Sequence, residues 1–237
     1  MKILGIIPAR FASTRFPGKP LVDIGGKTMI RRVYEQAIKA ASLSDVIVAT
    51  DDQRIYNEVL SFGGRAVMTA PHHLNGTERC AEVASTLDVD AVINIQGDEP
   101  FIHPEQIDTL ASLFSYHDFQ IGTLIKVCED QSLLAKPSII KVTVNKGLQA
   151  LYFSRSVIPY LRNTDAHPTY YKHIGIYGYR SDILQEIVKL PSSPLELAES
   201  LEQLRWLENG YTIHTAVTIH ESISIDVPED LERVIIP

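Results

Sequence analysis

Ile3-Leu4-Gly5-Ile6-Ile7-Pro8-Ala9-Arg10 is an apolar run that breaks at a proline and leads into a basic loop, Ser13-Thr14-Arg15-Phe16-Pro17-Gly18-Lys19-Pro20. The run reads as a strand. Arg10, Arg15 and Lys19, with a flexible Gly18 and the hydroxyls of Ser13 and Thr14, make a cradle for a polyphosphate. Taken alone, the loop reads more simply as a basic surface turn, because Pro-Gly beside a lysine is common loop chemistry. A second segment decides against that. Ala91-Val92-Ile93-Asn94-Ile95 is followed by Gln96-Gly97-Asp98-Glu99-Pro100, a strand delivering two carboxylates to the edge where open α/β sheets bind ligands. Asp98 is the expected Mg²⁺ ligand, since that small hard ion takes one or two carboxylates and completes its shell with water and phosphate oxygens. Glu99 is expected to cap the helix beginning near Pro104.

Outward from these segments the same rhythm repeats. β-Branched runs recur at Val46–Ala49 and Ala66–Met68, with helical patterns between them, such as Met29, Ile30, Val33, Tyr34, Ala37 and Ile38. Alternation of this kind predicts an α/β fold with a mostly parallel central sheet flanked by helices. Right-handed crossovers then bring the ends of the first and fourth strands to one edge. Arg10 and Asp98 become neighbours there.

Composition limits the partners. In 237 residues, 45% are apolar and 22% charged, which suits one globular unit, and neither repeats nor a low-complexity linker divide it. The net charge of −7 argues against nucleic acid or an anionic membrane, both of which select basic faces. Local basic character in an acidic chain points to a small anionic ligand. Cys80 and Cys128 lie far apart without a nearby His or Cys at metal-ligand spacing, so reduced, buried thiols are expected. Ile3–Ile7 is too short for a signal peptide and no stretch reaches membrane-span length, so a cytoplasmic protein is expected.

After Gln120 the pattern changes. Ile121–Val127, Ile139–Val144 and Leu148–Phe153 read as strands, the last two joined by an Asn145-Lys146-Gly147 turn. They predict a smaller antiparallel excursion, around residues 121–180, serving as lid or dimer contact. His173–Tyr179 is a further strand whose Gly175 and Gly178 permit close approach. Ser193-Pro194-Leu195-Glu196 opens a capped helix that ends before Gly210, with Leu197, Leu201 and Leu204 as its buried stripe. Glu199, Glu202, Gln203 and Arg205 form its expected solvated face. A last strand at Ser222–Ile225 ends at Asp226, either a cap or a second metal ligand, and Pro228 starts a closing helix.

With these residues in hand, the chain resembles the 3-deoxy-manno-octulosonate cytidylyltransferases (CMP-Kdo synthetases) of Gram-negative bacteria, almost from end to end. The likeness is carried by Ile7 to Leu21, Gly76-Thr77-Glu78-Arg79, Gln96-Gly97-Asp98-Glu99-Pro100 and Leu151-Tyr152-Phe153-Ser154-Arg155. It continues in His173 to Arg180, Glu202-Gln203-Leu204-Arg205 and Asp226 to Arg233. The resemblance implies transfer of CMP from CTP to the 2-hydroxyl of Kdo, an acidic eight-carbon sugar, with release of pyrophosphate for lipopolysaccharide synthesis. It implies that Arg10, Ser13 and Lys19 hold the triphosphate, that Pro8 and Ala9 also bind the nucleotide, and that Asn75, Gly76, Thr77 and Arg79 form the nucleotide edge that favours cytosine. Lys19 and Asp98 are then the catalytic pair, and Asp98 and Asp226 the Mg²⁺ ligands. Arg15, Gln96, Arg155, His173, Tyr177, Glu202 and Gln203 match positions lining the sugar pocket. The metal would activate the attacking hydroxyl, with His173 the reserve base, since its ordinary pKa suits that role. A homodimer is also implied. Two departures from the family pattern are Ala70-Pro71-His72-His73-Leu74-Asn75, which bears on base recognition, and Cys80, where an aliphatic residue is usual. Within the class, the rival substrate is a related acidic sugar such as 8-amino-Kdo.

Overall fold

The computed structural model describes residues 1–12 and 16–233, so Ser13, Thr14 and Arg15 lie outside the described residues. The first half alternates as expected: β1 (Ile3–Ala9), α1 (Met29–Ala37), β2 (Asp45–Thr50), α2 (Gln53–Ser61), β3 (Ala66–Met68), α3 (Gly76–Ser85), β4 (Ala91–Asn94) and α4 (Pro104–Ser112). β5 (Ile121–Val127), β6 (Lys141–Val144), β7 (Ala150–Ser154) and β8 (Tyr171–Arg180) follow, then α5 (Ser181–Ile187), α6 (Pro194–Glu199), α7 (Gln203–Glu208) and β9 (Ile213–Val217). The sheet order is β3-β2-β1-β4-β8-β5-β9. β1 pairs in parallel with both β2 and β4, which puts Ala9 and Asn94 at the same end of the sheet. β8 runs antiparallel between β4 and β5, and β9 is parallel to β5.

The central strands read as unbroken apolar runs because both of their faces are covered. Ile3 and Ile7 of β1 pack into one core with Ile30 and Val33 of α1 and Ile107 and Leu110 of α4. Leu4 and Ile6 enter the opposite core with Cys80 and Val83 of α3, Leu184 of α5, and Leu204 and Trp206 of α7. Both cysteines are buried and unbridged. No helix among the described residues is long and apolar enough to cross a membrane.

Three local expectations change. β5 is an interior strand of the main sheet, so only the β6–β7 hairpin stands off it, joined through β6 to the start of β8. The helix expected to run unbroken from Ser193 is two short ones, α6 and α7, parted at Ser200, which takes a left-handed conformation (φ 52°, ψ 50°). Arg155 causes the break. Its Nε donates to the Glu199 carbonyl at 2.6 Å and its Nη2 to the Ser200 carbonyl at 3.3 Å, capturing the helix-end acceptors. The break rotates Leu197 into solvent, 68% exposed, while Leu201 and Leu204 stay buried. Gln203 and Arg205, expected on a solvated face, are buried with them.

The strand expected at Ser222–Ile225 does not form. The segment is held by side chains instead. Gln106 donates to the Ser222 hydroxyl at 3.3 Å, His220 meets Glu105 at 2.8 Å, and Lys172 pairs with Glu221. One backbone bond then fixes its end, Ile225 N–H to the Asp98 carbonyl at 3.0 Å. This carries Asp226 to the sheet edge, and a 3₁₀ turn, Pro228–Arg233, closes the described chain.

Candidate active site

Beyond the ends of β1 and β4 lies a cleft of about 310 Å³. Pro8, Ala9 and Arg10 supply one wall, Gln96, Gly97 and Asp98 the floor, and Asn75, Gly76 and Arg79 the opposite wall. Lys19 and Pro20 close a side. Lys19 is placed by a short 3₁₀ helix, Lys19–Leu21, entered through Gly18 in the left-handed conformation (φ 72°). That backbone suits glycine, and an added Cβ would also meet the Phe11 ring at 3.1 Å.

The cleft floor is charged. Lys19 Nζ donates to Asp98 Oδ2 at 2.7 Å and lies 3.6 Å from Asp226 Oδ1. The carboxylates of two separate segments thus converge on one cationic point. Such a donor set fits Mg²⁺, which is commonly held by two carboxylates beside substrate phosphates. Asp230, within the following turn, accepts from the Asp226 and Val227 N–H groups at 2.9 and 3.1 Å, which holds the backbone entering that turn.

Glu99 differs from expectation. His103 caps α4, accepting from Glu105 N–H at 3.3 Å, while Gln106 accepts from His103 N–H at 3.0 Å. Glu99 is instead buried behind Asp98, and burial followed by the Asp98 charge pushes its pKa up to about 7.

The α3 wall is locally determined. Asn75 caps the helix by accepting from Glu78 N–H at 2.8 Å. Gly76 is tight against the first strand, since a Cβ there would lie 3.0 Å from Pro8 Cγ. Arg79 is buried, its Nη2 donating to Asp51 at 3.0 Å and its Nη1 to the Thr69 hydroxyl. It therefore ties the ends of β2 and β3 to the cleft. Thr77, assigned with these residues to the nucleotide edge, does not line the cleft. Its side chain turns inward and donates to Glu202 Oε2 at 2.9 Å. His73 and Leu74 do line it, and sequence reasoning passed over both. The only signal for them was the departure of residues 70–75 from the family pattern. The His73 ring is held by Glu82 and lies 3.7 Å from Glu78.

On the β8 side the floor continues through Asn94, which accepts from Gln96 Nε2 at 3.4 Å and pairs in register with Tyr177. The Tyr177 ring lies 5.3 Å from His173 and 5.1 Å, edge-on, from Trp206. Glu202 stands beside this group with Gln203 buried next to it, and burial pushes the Glu202 pKa up to about 7 against the opposing pull of Thr77 and Arg205. Arg155 is committed to backbone carbonyls, including Pro137 at 3.0 Å, so here it braces the α6–α7 joint.

His173 bonds the Thr123 hydroxyl at 2.9 Å, and desolvation pushes its pKa down to about 3. A ring that resists protonation so strongly is a weak base, contrary to the reserve role drawn from its ordinary pKa. It also sets an acid limb. Folded His173 stays neutral while the unfolded chain takes up a proton below 6.5, so its contribution is complete above that pH and is lost as pH falls toward 3. His173→Gln is expected to flatten the decline of stability between pH 6.5 and 4.5, by up to about 1 kcal/mol per pH unit. Urea melts of both proteins at several pH values check this; parallel acid limbs would refute it.

The arrangement offers a cationic grip and paired carboxylates beside a helix N-terminus, next to a cluster of polar and aromatic side chains, His173, Tyr177 and Glu202. Those parts suit transfer of a phosphorus-centred group between a nucleotide and a hydroxylated acceptor. Comparison with known proteins agrees. A family profile described as "Cytidylyltransferase" matches residues 4–219. The chain is 56% identical to the 3-deoxy-manno-octulosonate cytidylyltransferase of Cytophaga hutchinsonii, over 99% of this chain and 96% of that one. It is 54% identical to the protein of the same name from Bacteroides thetaiotaomicron, over 98% and 96%. A solved structure described as CMP:2-keto-3-deoxy-manno-octonic acid synthetase complexed with CTP superimposes with a TM-score of 0.94 at 45% identity, covering 98% of this chain and 96% of that one. With this fold, this cleft and likeness over nearly the whole length, the chain belongs to the 3-deoxy-manno-octulosonate cytidylyltransferase family.

Proposed function

We propose that the protein transfers CMP from CTP to the 2-hydroxyl of 3-deoxy-D-manno-octulosonate, giving CMP-Kdo and pyrophosphate for lipopolysaccharide biosynthesis. One observation carries the reading: Lys19, Asp98 and Asp226 meet at the floor of a cleft walled by Arg10 and the α3 N-terminus. The sugar hydroxyl attacks the α-phosphorus and gives up its proton to solvent, the bond from the α-phosphorus to the α,β-bridging oxygen breaks, and pyrophosphate leaves. Arg10 and Lys19 neutralise the triphosphate and the charge that gathers on the leaving group. Backbone at Asn75 and Gly76 holds the nucleotide at the helix end, whose dipole favours anions. Mg²⁺, held by Asp98 and Asp226, would supply Lewis-acid polarisation of the α-phosphate and acidify the attacking hydroxyl. Gln96, Tyr177, Glu202 and Gln203 orient the sugar.

The test is pyrophosphate release from CTP and Mg²⁺ with Kdo, 8-amino-Kdo and sialic acid offered separately. Release with Kdo alone is expected. Faster release with the amino sugar would move the assignment to that substrate, and release with none would remove it. Because it consumes a cytosolic nucleotide, the enzyme is assigned to the cytoplasm. The exposed apolar residues of the hairpin and the segment after it, Leu151, Val157, Tyr160 and Leu161, support a homodimer through that face. Sedimentation is expected to give a dimer at micromolar concentration, and a monomer would discard this contact.

A further inference from the structure

Resting on the sugar-binding reading of Glu202, we propose that Thr77 is a positioning residue for the sugar and not a nucleotide contact. It sits in the first turn of α3, between residues that line the cleft: Asn75 and Gly76 before it, Arg79 after it. Successive helix residues point about 100° apart, and Thr77 faces the other way, 3% exposed. Its hydroxyl donates to Glu202 Oε2 at 2.9 Å across 125 residues of sequence.

Glu202 depends on that bond. The nearest cation, Arg205, lies 3.7 Å away, with its Nη2 committed to Glu196 at 2.8 Å and its Nη1 to the Leu190 carbonyl at 2.9 Å. Around the carboxyl the hydroxyls of Tyr177 and Tyr179 are buried without a hydrogen bond of good geometry, the first beside Thr123 and the second beside Thr77. A carboxyl so weakly partnered, facing a buried hydroxyl, suits the neighbouring hydroxyls of a polyhydroxy acid, which can both donate and accept. Thr77 fixes which Glu202 oxygen remains for that ligand. Because the same helical turn carries Asn75 and Gly76, it also joins the nucleotide wall to the sugar wall.

Thr77→Val keeps the shape and removes the donor. The KM for Kdo at saturating CTP is expected to rise about tenfold, the effect of leaving one buried acceptor unpaired. The dissociation constant for CTP, measured by calorimetry without sugar, is expected to stay within twofold. Thr77→Ser, which retains the hydroxyl, should restore the sugar KM. If the valine variant does not fold, Thr77→Ser against Thr77→Ala makes the same comparison. An unchanged KM for Kdo, or CTP affinity falling in parallel with it, overturns the inference. Absence of Kdo turnover in the wild-type protein would instead remove the functional reading, a result distinguishable from either.

Discussion

Asp98→Asn is expected to lower pyrophosphate release about a thousandfold or more at saturating CTP, Kdo and Mg²⁺, while leaving the fold intact. Asparagine keeps the shape of the side chain and can still accept from Lys19, which bonds Asp98 at 2.7 Å. What disappears is one of the two negative charges that converge on a single cationic point. Charge stabilisation at a transferring phosphoryl group is worth several kcal/mol, and each 1.4 kcal/mol is about tenfold in rate. Stability responds differently. The Lys19 and Asp98 side chains are 14% and 27% exposed, so solvent screening holds the pair to about 1 kcal/mol. Part of that is offset because Asp98 destabilises the ionised form of buried Glu99 beside it. Thermal melts should therefore shift by a few degrees at most. Wild-type turnover in the variant would remove Asp98 from the catalytic machinery.

That Asp98 could be found without a structure follows from where it stands. Ile3–Ile7 and Ala91–Ile93 are free of polar side chains because α1 and α4 cover one face and α3, α5 and α7 the other, and strands of that kind deliver their next residues to a shared edge. Lys19, Arg10 and Asp98 are legible for this reason. Asp226 was half legible: its position at a turn was visible, but its approach depends on the Ile225–Asp98 backbone bond between segments far apart in sequence. The helix after Ser193 misled because its cap, stripe and terminal glycine are all locally sound. Arg155, some forty-five residues earlier, ends it by taking the Glu199 and Ser200 carbonyls. No periodicity records such a grip. The same applies to Thr77, whose neighbours line the cleft while its own partner, Glu202, lies just before α7, and to Glu99, whose proximity to a helix start concealed its burial. β5 was recognised as a strand but placed in the excursion, since a strand's run does not state which neighbours it joins.

Gly97→Ala tests how closely the two strand ends must approach. A Cβ at Gly97 would stand 2.9 Å from the Pro8 carbonyl oxygen and 3.6 Å from Ile7 Cγ2. The first contact is with backbone, so no side-chain rotation relieves it, and β1 and β4 must part at their carboxyl ends. Overpacking of this kind costs about 1–3 kcal/mol, and the displacement falls on Pro8, Ala9 and Asp98, which define the cleft. The variant is expected to lose about 2 kcal/mol in urea unfolding and to turn over more than tenfold more slowly, because catalysis of this type rests on positioning. Gly147→Ala is the control: its Cβ would meet only Asn145 Oδ1, at an ordinary 3.4 Å, and it sits in the hairpin turn away from the cleft. If Gly97→Ala matches that control in both stability and rate, the strand ends have room to spare. The glycine between Gln96 and Asp98 would then serve no purpose in bringing the carboxylate to the phosphate loop.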